Sequence, residues 1–342
     1  MLVLVTGAAG FIGSHVVDSL AGAGHDVRGV DALLPAAHGS APELPAGVVR
    51  GDLRDPDVAR AAVTGVDAVV HHAAMVGLGA DIRDIDAYAS HNDLGTAVLL
   101  RAMAERSFAG RIVLASSMVV YGEGGYACVR HGGVRPGPRR VDDLAAGRFD
   151  PLCPHCGRLL ESLPVGEDAP VDPRSTYAAT KLHQEHLVAC YARESDGVRA
   201  TALRYHNVYG ARMPRDTPYA GVAAIFRSAL ARGSEPSVFE DGAQLRDFIA
   251  VEDVARANVL ALEGPPGTYN VATGRPRRLL DMARALAATH PGAAAPRVTG
   301  EFRRGDVRHV FAATDRAASA LGFRAATTLE EGMRAFATAP LR

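Results

Sequence analysis

A tyrosine and a lysine four residues apart have the types and the spacing for proton transfer at an alcohol. Tyr177 and Lys181 lie near the start of a predicted helix, where this spacing places both side chains on one face. A phenol ordinarily titrates near pH ~10, and a neighbouring ammonium group favours its ionised form. Tyr177 could then remove the proton of the hydroxyl group while a hydride leaves the carbon that bears it. Because Tyr-x-x-x-Lys is common by chance, the pair gains meaning only from what accompanies it.

A glycine-rich turn near the start of the chain has the pattern of a dinucleotide-binding loop. The glycines are Gly7, Gly10 and Gly13. They separate the apolar run Leu2–Val5 from the helical pattern Phe11–Ala23, and strand–turn–helix is the context that the loop requires. Glycine lets the backbone approach a pyrophosphate, which the N–H groups at the helix N-terminus can bind.

An acidic residue at the end of the second predicted strand extends this pattern. A carboxylate at the position of Asp31 accepts hydrogen bonds from both hydroxyls of an adenosine ribose and repels a 2′-phosphate. We therefore predict a site for NAD rather than NADP. The alternative is a glycine-rich turn followed by an unrelated aspartate, and the conjunction of strand, loop, helix and acid argues against it.

The elements that must position these residues alternate between strands and helices. Short apolar runs predict strands at Leu2–Val5, Asp26–Asp31, Gly47–Arg50, Asp67–His72, Arg111–Ser116, Arg199–Arg204, Ser237–Glu240, Tyr269–Ala272 and Val310–Thr314. Helical spacing predicts helices at Phe11–Ala23, Asp55–Val63, Asn92–Arg106, Ser175–Glu194, Ala220–Ala231, Val251–Glu263, Arg278–Ala288 and Glu330–Phe336. The alternation indicates parallel βαβ units in an α/β fold.

This order of elements predicts a Rossmann-type doubly wound parallel sheet with a smaller C-terminal α/β substrate lobe. We expect residues 1–175 to form the dinucleotide-binding domain. Residues 176–342 are expected to form mainly the substrate-binding lobe, with some segments returning to the first domain.

The composition is that of an ordinary globular protein, with 48% hydrophobic and 22% charged residues among 342. The net charge of −1 gives no field that would favour nucleic acid or an anionic membrane. No apolar run approaches the ~18 residues of a membrane span. The N-terminal apolar run is short and lacks a basic start, so it indicates a buried strand rather than a signal peptide. We expect a soluble cytoplasmic protein.

A segment rich in glycine, proline and arginine, residues 123–173, interrupts the alternation, and we call it the insertion. It contains Cys128-x-x-His131 and Cys153-x-x-Cys156, which together have the spacing of a structural Cys₃His zinc site. A metal would hold a segment that lacks a hydrophobic core. The alternatives are a loop with reduced thiols and a disulfide between Cys153 and Cys156. We expect the insertion to fold over the substrate pocket or at its rim.

Taken together, these residues resemble the extended short-chain dehydrogenase/reductase family, the NAD-dependent sugar-nucleotide epimerases and dehydratases. The resemblance runs from Leu2 to about Phe336 and omits the insertion. Besides the glycine loop and the Tyr–Lys pair, the matching pieces are Asp31, Gly51–Leu53, His72–Ala74, Asn92 with Gly95 and Thr96, Ser116–Gly122, Arg204–Gly210 and Arg246–Phe248.

The resemblance implies a role for each matching residue. Those implied to contact or flank NAD, with Tyr177 and Lys181, are Gly7, Gly10, Phe11, Ile12, Gly13, Asp31, Asp52, Leu53, Ala73, Ala74 and Asn92. Ser117 is implied to bind the substrate hydroxyl beside Tyr177. The residues implied to bind the rest of a nucleoside-diphosphate sugar are Met118, Asn207, Val238, Phe239, Arg246 and Arg303. The two arginines suit a diphosphate because a guanidinium binds it in a bidentate manner.

The residues after Ser117 distinguish between reactions of the family. Its 4,6-dehydratases have an Asp-Glu pair there, because elimination of water needs an acid and a base. Met118 and Val119 carry no titratable group. The pattern therefore predicts epimerisation at C4 through a transient 4-keto sugar.

The choice of substrate and assembly rests on the resemblance alone. The stretch 205–219 most resembles members acting on dTDP-6-deoxyhexoses, and members acting on UDP-hexoses are the near neighbours. A homodimer through Asn92–Arg106 and Ser175–Glu194 is also implied. The alternatives are a sugar-nucleotide dehydrogenase or dehydratase with a net product change, and a non-catalytic NAD-binding regulator. The intact set of Ser117, Tyr177 and Lys181 argues against the regulator.

Overall fold

The computed structural model describes residues 1–38, 44–77, 82–215 and 221–342. The strands are β1 (Leu2–Thr6), β2 (Asp26–Asp31), β3 (Val48–Arg50), β4 (Ala68–His71), β5 (Arg111–Ser117), β6 (Gly125–Cys128), β7 (Gly132–Gly133), β8 (Glu161–Leu163), β9 (Arg199–Tyr205), β10 (Asn207–Tyr209), β11 (Ser237–Val238), β12 (Leu245–Arg246), β13 (Phe248–Ala250), β14 (Gly267–Val271), β15 (Arg277–Arg278) and β16 (Arg297–Val298). Residues 216–219 of the stretch that resembles dTDP-sugar enzymes lie outside the described residues, as does Ala220 at the predicted start of a helix.

Eight of the helices in the described residues match predicted ones, whereas the apolar spacing does not predict the four short ones at 35–38, 85–88, 141–145 and 315–321. The helices are α1 (Phe11–Gly22), α2 (Pro35–His38), α3 (Pro56–Ala62), α4 (Ile85–Tyr88), α5 (Gly95–Glu105), α6 (Val141–Ala145), α7 (Thr176–Glu194), α8 (Val222–Ala231), α9 (Val251–Glu263), α10 (Leu279–Ala287), α11 (Asp315–Leu321) and α12 (Leu329–Thr338). A π-helical turn, Ala89–Leu94, joins α4 to α5 without a break. No helix in the described ranges is long and apolar enough to cross a membrane.

Seven parallel strands form the central sheet in the order β14-β9-β5-β4-β1-β2-β3. The chain starts in the middle, moves to one edge through β2 and β3, and then moves to the other through β4 and β5. This reversal beside β1 is the mark of a doubly wound sheet, and it leaves a crevice at the carboxyl ends of β1 and β4. The predicted α/β fold class is confirmed.

Helices cover both faces of this sheet, which explains its unbroken apolar strands. One face packs against α1, α9 and α11, and the other against α3, α5 and α7. Val3, Leu4 and Val5 in β1 have no exposed surface, because neighbouring residues of a strand point to opposite, covered faces.

Two strands and three helices of the sheet layers come from the second half of the chain. They are β9, β14, α7, α9 and α11. The helix α9 packs closely along α1, the helix that follows the glycine loop. Through these segments, residues after 175 contribute to the central sheet and to the helices that cover it. The division of the chain into two domains at residue 175 remains a prediction.

The lobe beside the carboxyl edge of the sheet has its own apolar core. Side chains of α8, α10 and α12 pack there, among them Phe226, Met282, Leu286 and Phe336. The short strand pairs are β10-β13, β11-β16 and β12-β15. The predicted strand Val310–Thr314 is wrong: Val310 and Ala312 each form one isolated bridge, with Arg246 and Val165, so the segment joins two neighbours without pairing along either.

The insertion forms a small unit of its own. Its three strands pair in the order β7-β6-β8. The short helix α6 lies between β7 and β8 in the chain. The insertion docks through an apolar contact among Val120, Tyr121, Val165 and Val310. The contact places the insertion between the end of β5 and the C-terminal half of the chain.

Candidate active site

A cleft of about 300 Å³ lies at the carboxyl ends of the central strands. Its walls come from the glycine loop, the end of β2, the segments after β3 and β4, and α7. The residues that the sequence analysis assigned to NAD and that line it are Gly7, Gly10, Phe11, Ile12, Gly13, Asp31, Asp52, Leu53, Ala73, Ala74, Tyr177 and Lys181. The fold thus gathers side chains from both halves of the chain around one cavity.

The glycine loop has the conformation that only glycine permits. Gly7 has φ +67°, and a Cβ on it would lie 2.7 Å from the backbone nitrogen of Ala73. A Cβ on Gly13 would collide with the Gly7 carbonyl oxygen. The helix α1 starts after Gly10, with no side-chain cap and no acid in its first turn. Its N-terminal N–H groups can therefore bind an anion, and the loop fits a dinucleotide pyrophosphate.

The carboxylate of Asp31 is held at the end of β2 by backbone donors. Ala9 N–H donates to Oδ2 at 3.0 Å, and Leu33 N–H donates to Oδ1 at 2.8 Å. Burial opposes ionisation, but hydrogen bonds from His38, Leu33 and Ala9 outweigh it and lower the pKa of Asp31. The group is an anion at neutral pH, positioned beside the loop as an acceptor for ribose hydroxyls fits.

Asp52 and Leu53 follow β3 and form the far end of the cleft. Arg54 binds the Asp52 carboxylate through Nη2 at 2.6 Å, and this hydrogen bond lowers the pKa of Asp52 against the effect of burial. Leu53 is buried in the core on that face of the sheet. The pair offers an acceptor and an apolar surface where an adenine ring would lie.

Tyr177 and Lys181 enter the cleft from the first turns of α7. This helix begins at Ser175, whose Oγ accepts the N–H of Ala178 at 3.2 Å. Burial raises the pKa of Tyr177 to about 12, against the effect of its hydrogen bond with Ser117. Burial lowers the pKa of Lys181 to about 7. With these pKa values the phenol is protonated at neutral pH, and the lysine gives up its proton more readily than lysine ordinarily does.

The Lys181 ammonium is anchored beneath the cleft. Its Nζ donates to the carbonyl of Ala115 in β5 at 2.8 Å, which fixes the side chain on the sheet edge. Burial, together with the nearby Lys181 charge, lowers the pKa values of His71 and His72 to about 3. Both imidazoles are therefore neutral. His71 contacts the hydroxyls of two threonines and His72 that of Tyr205, as expected of interior histidines.

Asn92 does not line the cleft but holds one of its walls. It lies in the π-helical turn and is fully buried. Its amide accepts the N–H of Met75 at 2.7 Å, donates to the Met75 carbonyl at 3.0 Å and donates to Thr180 Oγ1 at 2.9 Å. The side chain therefore ties the segment after β4, which contains Ala73 and Ala74, to α7.

The residues after Ser117 form a single 3₁₀ turn, Met118–Tyr121. Met118 packs against the apolar cluster that contains Val120, and Tyr121 Oη donates to Asn270 Oδ1 at 2.7 Å. Burial raises the pKa of Tyr121 to about 12. This turn therefore supplies no acid–base pair of the kind that elimination of water would need.

The residues predicted to bind the sugar nucleotide lie in two places. Ser117 ends β5 and Met118 begins the 3₁₀ turn after it, whereas the others belong to the C-terminal half of the chain. The described lining of the cleft does not include Ser117, Met118, Asn207, Val238, Phe239, Arg246 or Arg303. Val238 is fully buried, and the Arg303 guanidinium lies 5.1 Å from the centre of the Phe239 ring. Asn207 begins β10 and donates its N–H to the Asp247 carbonyl at 2.9 Å.

Arg246 differs from an exposed phosphate-binding arginine. Its guanidinium donates to the carbonyls of Leu245, Arg308 and Val307 at 2.8, 2.9 and 2.7 Å. Burial lowers its pKa against the attraction of nearby carboxylates. The three carbonyls hold this charge in place within the lobe.

Two arginines that sequence motifs did not indicate also line the cleft, Arg212 and Arg342. The Arg342 guanidinium donates to the Ala9 carbonyl in the glycine loop, and its backbone N–H donates to Met213 at 3.1 Å. Burial and the Arg212 charge lower the pKa of Arg342. No sequence signal could have found Arg342, because tertiary packing alone brings it to a loop more than 300 positions away.

The metal-ligand pattern of the insertion also comes together. Cys128, His131, Cys153 and Cys156 each offer a ligand atom, and these atoms all lie within 4.8 Å of one another. The cluster lies apart from the described lining of the cleft.

A doubly wound parallel sheet with a dinucleotide loop and a Tyr–Lys pair at its carboxyl edge defines a class, the NAD-linked α/β enzymes. Within this class, residues 3–136 and 155–272 match the NAD dependent epimerase/dehydratase family. The chain belongs to this family. The gap between the two matched ranges falls within the insertion.

Curated and solved relatives agree with this placement. A dTDP-L-rhamnose 4-epimerase of Burkholderia thailandensis is 34% identical, over 97% of this chain and 92% of the relative. The crystal structure of a UDP-glucose 4-epimerase of Thermotoga maritima, with UDP-glucose, has a TM-score of 0.80 at 28% identity, over 98% of this chain and 97% of that one. The UDP-glucose 4-epimerase of Thermus thermophilus, in complex with NAD, has a TM-score of 0.77 at 31% identity and covers 98% of each chain.

Proposed function

We propose that this protein is an NAD-dependent isomerase that inverts C4 of a nucleoside-diphosphate sugar through a transient 4-keto intermediate. The observation that carries the proposal is the Tyr177–Lys181 pair in the wall of a dinucleotide cleft, with Ser117 near enough to Tyr177 to influence the pKa of its phenol. Met118 and Val119 provide no titratable group for a dehydratase. Relatives that match nearly the whole chain are named as 4-epimerases.

The residues present fit NAD at each part of the cleft. The glycine loop receives the pyrophosphate, and Asp31 binds the adenosine ribose as acceptor. Lys181 is placed to bind the nicotinamide ribose from below. When bound, NAD⁺ supplies a hydride acceptor and a positive charge. Burial raises the pKa of the Tyr177 phenol to about 12. The positive charge of the cofactor would oppose this effect and favour ionisation of the phenol.

The proton step belongs to Tyr177. Its phenolate takes the proton of the C4 hydroxyl as the C4–H bond breaks, and Ser117 donates a hydrogen bond to the same oxygen. Lys181 stabilises the phenolate from one helical turn away. After the 4-keto sugar turns its other face, Tyr177 returns the proton to the C4 oxygen as the C4–H bond forms again. Lys181 is buried and Tyr177 is partly exposed to the cleft, so a bound sugar would shield the exchanged proton from water.

The sequence itself supports a special role for Lys181. It is the only lysine in the chain, where the count of lysine and arginine together is 37. Arginine stays charged in proteins and has a wide planar head, whereas lysine can lose its proton when buried. The position that faces Tyr177 is thus the one position at which arginine does not supply the cation.

The substrate class follows from the lobe beside the cleft. Phe239 offers a ring for a nucleobase, and Arg303 above it offers a charge for a phosphate. Asn207 begins β10, and Arg246 ends β12 with its guanidinium held by three carbonyls. We propose a dTDP-6-deoxyhexose as the substrate, with UDP-hexoses as the second choice. The resemblance of this chain to the enzyme of Burkholderia thailandensis favours the first.

The proposal is tested with purified protein and a panel of dTDP- and UDP-hexoses. The expected result is bound NAD and a C4-inverted sugar without net NADH. A stable 4-keto product would contradict epimerisation. Tyr177→Phe should lower kcat by a factor of roughly 10²–10⁴, the usual contribution of acid–base catalysis. Tyr191→Phe, farther along α7, is the matched control and should retain activity.

We further propose that the enzyme works in the cytoplasm as a homodimer. The free thiols of all four cysteines are compatible with a reducing compartment. The outward faces of α5 and α7 are the proposed contact between copies, and their residues are considered in the Discussion.

A further inference from the structure

The four-residue cluster in the insertion has no part in the proposed reaction. We infer that Cys128, His131, Cys153 and Cys156 bind one structural zinc ion that fixes the insertion against the substrate lobe. The zinc site is argued from the cluster itself. Only its effect on substrate binding rests on the proposed function.

Three of the six distances between the ligand atoms match the edges of a tetrahedron around zinc, and all six are within 4.8 Å. Bonds of about 2.3 Å to sulfur and about 2.0–2.1 Å to nitrogen give edges of about 3.8 Å between two sulfurs and about 3.5 Å between sulfur and nitrogen. Cys128 Sγ lies 3.7 Å from Cys156 Sγ. His131 Nδ1 lies 3.5 Å from Sγ of both Cys128 and Cys153. Four protein ligands would fill the coordination shell, which is typical of a structural site.

Hydrogen bonds from backbone N–H groups shape the two turns that carry the ligands. In the first turn, the N–H of Arg130 donates to Cys128 Sγ at 3.4 Å, and such a bond stabilises the thiolate that binds metal. In the second, the N–H of Gly157 donates to the Cys153 carbonyl at 2.8 Å. Gly157 has φ +69°, which glycine adopts readily and which turns the chain back after Cys156.

Little apolar core is available to hold these turns together. Val129, Leu152 and Leu159 flank the ligands, yet they are exposed by 85%, 47% and 68%. The two cysteines Cys128 and Cys153 are nevertheless almost fully buried. A metal bound between the turns would supply the stabilisation that these exposed side chains do not.

The chain between the two ligand pairs reaches into the substrate lobe. Arg139 Nη2 lies 2.8 Å from Glu240 Oε1, and both side chains are almost fully buried. Asp150 accepts a hydrogen bond from Arg308 Nε at 2.7 Å, and Arg308 Nη1 lies 2.9 Å from Glu240 Oε2. Glu240 directly follows Phe239, the residue assigned to the nucleobase.

A zinc ion would therefore fix both ends of the segment that buries these charges. Buried ion pairs depend on good geometry, so a loosened segment would disturb Glu240 and the residue before it. The described lining of the NAD cleft contains no residue of the insertion. Loss of metal should accordingly weaken binding of the nucleotide sugar and leave binding of NAD unchanged.

The first experiment measures zinc in the purified full-length protein by elemental analysis. We expect one zinc ion per chain in the wild type and loss of zinc in Cys128→Ser and Cys153→Ser. Cys190→Ser, at the exposed cysteine of α7, and His155→Ala, beside the cluster, are the matched controls and should keep the ion. Removal by a chelator should lower the thermal midpoint, and Zn²⁺ alone should restore it.

A second pair of variants covers the case in which the serine variants fail to fold. His131→Cys preserves a four-ligand site and should keep zinc, whereas His131→Ala should lose it or bind it more weakly. In the zinc-free protein, KM for the nucleotide sugar should rise while Kd for NAD stays constant. These metal and unfolding readouts need no sugar, so they separate failure of this inference from failure of the proposed reaction. A folded wild type without zinc that ignores added Zn²⁺, or one with a disulfide within the cluster, would overturn the inference.

Discussion

At the scale of single residues, Asp31 is the group that we propose binds the adenosine ribose of the cofactor. Its two carboxylate oxygens accept N–H groups of Ala9 and Leu33, so the charge is fixed before any ligand arrives. Asp31→Asn keeps the size of the side chain but removes its charge. It also leaves the N–H of Ala9 or of Leu33 facing the amide nitrogen instead of an acceptor oxygen. The loss of a hydrogen bond to a charged group is worth about 1.5–3 kcal/mol. Since ~1.4 kcal/mol is tenfold, the Kd of NAD should rise by about 10–100-fold.

Titration calorimetry with NAD and NADP measures this change. The preference for NAD over NADP should shrink, because the carboxylate no longer repels a 2′-phosphate. Asp26→Asn, at the exposed start of the same strand, is the control and should bind both cofactors like the wild type. An unchanged ratio of the two affinities in Asp31→Asn would contradict the assignment.

The lowered pKa of Lys181 leads to a prediction of how the stability of the fold depends on pH. Burial lowers its pKa to about 7, whereas an unfolded lysine titrates near ~10.4. Between these values the unfolded chain binds more protons than the folded one, so stability should rise as pH rises from about 7 to about 10. Lys181→Met removes the buried charge, and it should be at least as stable at pH 7 and flatten this rise while activity is lost.

The measurement is unusually direct because the chain has one lysine. Selective isotope labelling of lysine gives a single side-chain signal in the NMR spectrum, whose titration reports the pKa of Lys181 without assignment. Urea unfolding at several pH values gives the stability. A signal that titrates at the ordinary value, with the same pH dependence in wild type and Lys181→Met, would show that the cleft does not perturb this group.

The residues of the site differ in how visible they are in the sequence. Gly7 to Gly13 and the Tyr177–Lys181 pair could be predicted because each motif requires fixed local spacing. Arg342 and His38 could not, because only the folded chain brings them to the loop and to Asp31. Two of the three carbonyls around Arg246 are equally hidden, since they belong to Arg308 and Val307, about 60 positions away.

At the scale of elements, the helical segment from α4 through α5 illustrates the limit of periodicity. The apolar spacing predicts a helix only from Asn92, whereas the structure has continuous helical turns from Ile85. The residues before Asn92 are mostly polar, and tertiary contacts hold them. Tyr88, for example, is buried and donates to the carbonyls of Val76 and Gly77. Strands that depend on distant partners, such as β6 to β8, are hidden for the same reason.

The π-helical turn in this segment makes a prediction of its own. Asn92 is fully buried, and its amide satisfies the backbone N–H and carbonyl of Met75. Asn92→Ala would leave these groups without partners, at a cost of about 1–3 kcal/mol for each. We expect a lower free energy of unfolding and weaker NAD binding, because the freed segment carries Ala73 and Ala74.

Chemical unfolding and NAD titration test this expectation together. Ser90→Ala lies in the same turn, where its hydroxyl accepts one hydrogen bond from Arg54, and it is the matched control. It should cost far less stability. If Asn92→Ala binds NAD like the wild type despite lower stability, the side chain supports the fold only and does not hold the cleft wall.

At the scale of the whole molecule, two neighbouring helices each have an outer face that is exposed in the described part of the chain. The exposed face of α5, with the last residue of the π-helical turn, carries Leu94, Ala97, Arg101 and Ala104. The exposed face of α7 carries Ala179, His183, His186 and Cys190. These residues recur every three or four positions, so each set forms one stripe along its helix. Most of the α5 stripe is small or apolar, and the α7 stripe combines such residues with two histidines, which permits packing against another pair of helices.

A second copy of the chain would meet this surface symmetrically, with α5 and α7 of each copy forming a four-helix contact. His183 Nδ1 of α7 lies 3.2 Å from Oδ1 of Asp93, just before α5, so the two helices already contact each other at this surface. The contact would also support the catalytic helix from outside, since Tyr177 and Lys181 lie on the inner side of α7. The dimer is therefore expected to stabilise the site rather than merely to join two copies.

Light scattering after size-exclusion chromatography should give twice the mass of one chain. Ala97→Arg and Ala179→Arg place a large charge in each stripe and should shift the protein to monomers, with lower activity because α7 loses its outer support. Ala61→Arg, at an exposed position of α3 on another surface, is the control and should stay dimeric. A monomeric wild type, or stripe variants that remain dimers with full activity, would place any contact between copies elsewhere on the molecule.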